Sequence, residues 1–316
     1  MSNKFLEILD KHPSNGVIIL GAFVAFTLLL VINYLTRTGV IARATLKEAI
    51  RQPAFPLLAG VGSAMILINM FVPFFSFDDD TRMFIECGLA TVQICALIMA
   101  VWTASTSVAD EIDGKTAMTL LSKPVNRQQF IIGKYLGIVQ ASLLVLVLTS
   151  VVFFFATYFK YGYDQGEHGA EAPPLFSYPL EGTFSWLPYF VPLRIESALS
   201  VFPGLALVAL EVVVLSAISV AISTRFPMMV NVLASLAIFA LGHLTPLLVQ
   251  SGVHPVVRFV AQVLATVFPA LDHFNLQGTS ALVPPDYLQY ALMYCCAYTT
   301  LMLMVALISF EDRDLA

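Results

Sequence analysis

Apolar residues fall along this chain in long unbroken runs separated by short polar intervals. Seven such runs, at 17–35, 54–77, 83–108, 130–159, 198–223, 228–249 and 287–310, are each about 19 to 30 residues long. A helix rising about 1.5 Å per residue crosses a hydrocarbon core of about 30 Å in roughly 20 residues. A membrane β-barrel would instead show alternating segments of roughly ten residues. The pattern therefore predicts an all-α integral membrane protein, a polytopic helical bundle of about seven spans.

The polar intervals differ in kind. In 40–52, Arg43, Lys47 and Arg51 fall on one helical face, while Ile41, Ala42, Thr45, Leu46, Ala49 and Ile50 fall on the other. That spacing predicts an amphipathic elbow helix lying in the bilayer surface, with its cations toward the headgroups. The interval 110–129 is charged and short. Within it Thr116 to Ser122 can form two helical turns, which Pro124 ends because proline lacks an N–H and restricts the residue before it. Asn126 and Gln129 then have the spacing of a capping box that starts the next helix. The interval 160–197 holds Pro173, Pro174, Pro179, Pro188 and Pro192 among the aromatics Phe176, Trp186 and Tyr189. It predicts a loop on the opposite face, anchored at headgroup level.

Cations orient the chain. The intervals 36–53 and 110–129, together with Lys134, Arg225 and the tail after Phe310, hold ten of the sixteen Lys and Arg. By the positive-inside rule these are cytoplasmic, which places the amino terminus outside and the carboxyl terminus inside. The first run is too long for the core of a secretory signal and is expected to remain as a span.

Composition adds exclusions. The chain is 58% hydrophobic and only 12% charged, with a mean hydropathy of +0.83, which rules out a soluble domain. The net charge of −5 is spread over the chain and implies no nucleic-acid partner. Cys87, Cys95, Cys295 and Cys296 lie in apolar runs, as packing residues do. His12, His168, His243, His254 and His273 fall on or near the outer side without ligand spacing, so neither a metal nor a cofactor is expected. Asp78, Asp79 and Asp80 read as a solvated turn, since three adjacent carboxylates do not converge on one cation. Gly114-Lys115-Thr116 ends like a phosphate loop. Ala109 stands where its first glycine belongs, however, and no strand precedes it. No ATP hydrolysis by this chain follows, and no enzymatic activity is expected.

Glu211, near the middle of the fifth run, is the costliest residue in the sequence. It lines a translocation path or dimer seam, or it is a protonated carboxyl bonded to a neighbouring helix. No intramembrane cation is available to pair with it, since Arg225 lies beyond the cytoplasmic end.

The residues Glu111, Gly114, Thr116, Leu120, Leu121, Ser122, Lys123, Pro124, Val125, Arg127, Gly133, Lys134 and Gly137 resemble the signature of ABC-2 type transporter permeases. Lys115 departs from it, standing between Gly114 and Thr116 where the family has Gly-Thr directly. The likeness is greatest to the branch that includes the permease for copper-site maturation of nitrous oxide reductase and the gliding-motility permeases. The resemblance implies a six-span permease core, 36–316, preceded by a tail and an extra span, 1–35. It also implies a cytoplasmic coupling helix in 110–129 that docks a separate ATP-binding subunit through Glu111, Gly114, Thr116, Leu121 and Pro124. A second permease copy, identical or similar, and export across a bacterial plasma (inner) membrane are further implications. The competing reading is an ion-coupled secondary carrier acting alone. It calls for several intramembrane ionisable residues and a repeat of broken helices.

Overall fold

The computed structural model describes residues 13–72, 80–109, 111, 126–167, 173–177, 189–250, 259, 262–263, 268–275 and 283–311. The helices are α1 (Pro13–Leu35), α2 (Arg37–Arg51), α3 (Ala54–Met70), α4 (Asp80–Ala104), α5 (Arg127–Glu167), α6 (Pro192–Leu199), α7 (Phe202–Ser223), α8 (Met228–Gln250) and α9 (Pro285–Glu311). A π-helical turn, Ser105–Ala109, continues α4, and a 3-10 turn covers Leu271–Phe274. The all-α polytopic bundle expected from the sequence is the fold observed.

Among the described residues, five helices are long and apolar enough to cross a membrane: α1, α4 with its π turn, α5, α6 with α7, and α9. The run at 54–77 is helical only to Met70 in its described part, and α3 meets α2 at a bend of 62°; only counted as one do these two helices add a sixth span. The run at 228–249 forms α8, helical over 23 residues, Met228–Gln250.

α5 is the bundle's backbone. At 41 residues it extends about 61 Å, twice the hydrocarbon thickness. Its inner face carries Phe130, Ile131, Ile138 and Phe153, all buried against Val92 and Ala96 of α4 and Val212 of α7. The expected loop at 160–197 accordingly begins later. α5 runs on to Glu167 because its polar residues there are paired: Lys160 is wholly buried, 2.9 Å from Asp164, and Asp164 accepts from Thr81 of α4. Beyond it, Phe176–Ser177 and Tyr189–Phe190 form a two-residue antiparallel ladder, and α6 opens with Pro192 in its first turn. Trp186 lies outside the described residues, as do Asp78 and Asp79 and most of the interval between α8 and the 3-10 turn.

Arg194 of α6 locks this outer end. Its guanidinium donates to the Pro173 carbonyl at 2.5 and 3.2 Å and to the Tyr158 carbonyl at 3.3 Å, against Gly162, where no Cβ would fit. At the other end, Thr36 caps α2 by accepting from the Gly39 N–H at 3.0 Å. α1 itself is almost wholly exposed. Two polar contacts tie it to the bundle among the described residues: Asn33 and Gln140 of α5 form a reciprocal amide pair, both bonds 3.1 Å, and the Asn15 amide donates to the Leu199 carbonyl at 3.3 Å.

Candidate functional site at the base of the 110–129 segment

α2 packs on α5 at very short range. Gly133 and Gly137 sit one helical turn apart, and each faces a backbone carbonyl of α2. A Cβ at Gly133 would lie 2.9 Å from the Thr38 oxygen, and one at Gly137 would lie 2.7 Å from the Ala42 oxygen. Small residues spaced by four let membrane helices approach in this way. The buried face of α2 is Gly39, Ala42, Thr45 and Ala49. Ala42, Thr45 and Ala49 of the apolar stripe thus rest on protein, Ile41 and Leu46 are half-buried, and Ile50 is exposed. Lys47 and Arg51 are exposed as expected. Arg43 is half-buried, its guanidinium 4.9 Å from the ring centre of Tyr34.

The same end of α5 holds an ion pair. Lys134, 5% exposed at its side chain, donates to Glu111 at 2.6 Å. Burial raises the Glu111 pKa above the ordinary carboxylate value, the ammonium of Lys134 opposes that rise, and Glu48 of α2 adds to it. Two acids and one cation thus meet where α2, α5 and the segment converge.

The π turn immediately precedes that segment. Winding wider than an α-helix frees carbonyls in the turn before, and Ser105, Thr106 and Ser107 satisfy them: their hydroxyls donate to the Val101, Trp102 and Thr103 carbonyls at 2.8, 3.1 and 2.6 Å. From this turn two cross-ties leave. Gln52, at the end of α2, donates to Thr106 at 3.1 Å and accepts from the Trp102 indole at 3.0 Å. Asn231 of α8, fully buried, donates to Ser105 at 2.8 Å and sits within 3.2 Å of the hydroxyls of Ser219 and Ser235.

The far side of the segment is also tied down. The Asn126 N–H donates to the Gln129 side chain at 3.4 Å, the reach-back half of the capping box read from the sequence. Arg127 donates to the Phe310 and Glu311 carbonyls at 3.4 and 3.0 Å, at the end of α9, and Phe130 stacks on Phe310. Arg127 is thus placed against orphan carbonyls at a helix C-terminus, where cations are favoured. Of the residues expected to dock a partner, Glu111 falls within this frame. Gly114, Thr116, Leu121 and Pro124 lie outside the described residues.

Glu211 is 1% exposed and does have partners. Gln93 of α4 donates to its Oε2 at 2.6 Å, and Nε2 of His243 on α8 stands 3.6 Å from Oε1. His243 is therefore not one of five scattered surface histidines, and the absence of an intramembrane Lys or Arg does not leave the carboxylate alone. Among the described residues no group of three or more His, Cys, Asp or Glu could hold a metal. Sequence reading missed Gln93, Asn231, His243 and the π turn. The signals on the page were the run Ser105-Thr106-Ser107 and the Gly133-x-x-x-Gly137 spacing.

Fold and site define a polytopic helical membrane protein with one cluster of polar ties around the base of the 110–129 segment. Residues 61–167, a third of the chain, match the family model described as ABC-2 family transporter protein, and this match supports an ABC-2 type permease. The matched stretch holds most of α3, all of α4 and its π turn, the 110–129 segment and the whole of α5. No curated protein matches the chain.

Proposed function

We propose that the chain is the membrane permease subunit of an ATP-binding cassette transporter, driven by a separate ATPase that docks under 110–129. The observation that carries this reading is the frame around that segment. Its first residues are held to α5 by Glu111–Lys134 and its last to α9 by Arg127, while the π turn above it is tied to α2 and α8. A load applied there is passed to four helices at once.

In this mechanism closure of two ATPase subunits pushes the segment sideways. The π turn absorbs the change of register, since the carbonyls of Val101, Trp102 and Thr103 just before it already have hydroxyl partners when the winding shifts. α4 and α5 then move as rods, and the path between two permease copies opens to the outer side. The transported direction is outward, and the membrane is the bacterial plasma membrane with the carboxyl terminus inside. Within the family, the resemblance of residues 111–137 favours the branch of nitrous-oxide-reductase maturation and gliding motility.

The test is to purify the tagged chain from its native membrane and reconstitute it, with whatever nucleotide-hydrolysing subunit accompanies it, in liposomes. Hydrolysis that depends on the permease and is lost with Leu121→Asp supports the reading. A chain that carries solute without ATP, or a Lys123 label that reacts only from the outer side, overturns it in favour of an ion-coupled carrier.

A further inference from the structure

The two oxygens of Glu211 face different neighbours. Oε2 accepts from Gln93, whereas Oε1 is buried, accepts no hydrogen bond and faces Nε2 of His243 at 3.6 Å. The other imidazole nitrogen of His243, Nδ1, lies 3.1 Å from the Phe239 carbonyl oxygen. A carbonyl can only accept, so Nδ1 carries a hydrogen. In a neutral imidazole Nε2 is then bare. Were Glu211 ionised as well, two lone pairs would confront each other inside the membrane, beside a carboxylate with one donor for its two oxygens. A single proton removes the conflict from either side, on Oε1 donating to Nε2 or on Nε2 donating to Oε1.

From this geometry we infer that Glu211 and His243 form a one-proton binding site in the membrane interior, shared across the contact between α7 and α8, with Gln93 fixing the carboxylate. The balance is simple. A proton from water takes the pair from a net charge of −1 to zero, no covalent bond other than to hydrogen changes, and release returns the proton to water. Exchange runs through His243, whose side chain is 21% exposed, because that of Glu211 is 1% exposed.

The neighbouring elements do not compete for that proton. From α5, the Tyr135 hydroxyl donates to the Val213 carbonyl at 3.3 Å. From α9, the Cys295 thiol donates to the Leu210 carbonyl at 3.5 Å. α4 supplies the uncharged amide of Gln93. On the 3-10 turn, which meets α8 through Leu271 against Gly242, Asp272 and His273 are exposed. Among the described residues the ion-pair partner of Glu211 is His243.

The consequence is that proton occupancy sets how firmly α8 holds α7. With the proton bound the two helices share a hydrogen-bonded, neutral pair. Without it, a buried carboxylate faces a lone pair, and α8 is pushed away. This holds whether or not an ATPase drives the chain, so its failure and the failure of the coupling reading are separate results.

The test uses the full chain in lipid nanodiscs with the other four histidines replaced, leaving His243 to be read by nitrogen NMR, alongside infrared spectra of carboxyl groups between about pH 5 and about pH 9. The expected result is hydrogen on Nδ1 throughout, and one titrating proton seen either as a protonated-carboxyl band or as hydrogen on Nε2. That signal should vanish with Glu211→Gln, and its midpoint should move by about one pH unit or more with His243→Asn where it is the carboxyl band. A bare Nδ1, neither a carboxyl band nor hydrogen on Nε2 at the acid end, or a carboxyl band indifferent to His243→Asn overturns the proposal. Should either variant fail to fold, the tautomer and the joint titration of the chain with native Glu211 and His243 decide it alone.

Discussion

Gly137 offers the sharpest test of how α2 is seated. A Cβ there would meet the Thr45 Cβ at 2.6 Å and the Ala42 carbonyl oxygen at 2.7 Å. Carbon contacts settle near about 3.5 to 4.0 Å, so α2 must retreat by roughly 1 Å, and because one obstacle is backbone no side-chain rotation relieves it. Gly137→Val also adds two methyl groups to the same space. Overpacking of this kind costs about 1 to 3 kcal/mol, and the rigidity of the contact puts this case near the upper end. At about 2 °C per kcal/mol for a chain of this size, the expected loss is roughly 6 °C in the thermal midpoint of the purified chain. Gly60→Val is the control, since a Cβ at Gly60 meets nothing within 4 Å; it should leave the midpoint within about 1 °C, as exposed helix substitutions do. Equal effects at the two positions, or no loss at Gly137, would refute the close seating of α2 on α5.

Four further outcomes are expected. In a double-mutant cycle, Glu111→Gln with Lys134→Met should show a coupling of about 1 to 3 kcal/mol by chemical unfolding, and additive single effects would dismiss the pair. Because burial raises the Glu111 pKa above its unfolded value, ionising it opposes folding: relative to Glu111→Gln, the unsubstituted chain should lose stability as pH rises through the window above the ordinary carboxylate value, and a gain would contradict the assigned burial. Asn231→Ala should cost about 0.6 to 1.7 kcal/mol and raise hydrogen exchange at the π turn, because Ser105 loses its cross-tie; unchanged exchange would argue that the turn is held by its own hydroxyls. Gly162→Ala should expel the Arg194 guanidinium and expose 173–177 to protease, whereas continued protection would show that Arg194 is not the clamp.

Membrane character, the helical class and the amphipathic helix over 40–52 were legible because each rests on hydrophobic periodicity, which acts within one segment. The capping residues Asn126 and Gln129 were legible for the same reason: both partners lie within one turn. What escaped was set by distant partners. Lys160 and Asp164 look like loop residues until each is seen to neutralise the other at the end of α5. His243 is 32 positions from Glu211, and only the antiparallel return of α8 brings it near. The seat of α2 on α5 was not legible because an apolar stripe fits a lipid surface or a neighbouring helix equally well, and the glycines that receive it lie more than eighty residues on.

The 41 residues of α5 bear on how the two ends of the molecule communicate. Lys134 near one end and Gly162 near the other ride on a single unbroken stem, with no proline or π turn between them to dissipate a tilt. If it pivots about its midpoint, a swing of about 5° displaces each tip by close to 3 Å, in opposite directions. A small nudge at the Lys134 end would thereby be converted, without any relay of side chains, into an opposite sweep beneath the Arg194 clasp.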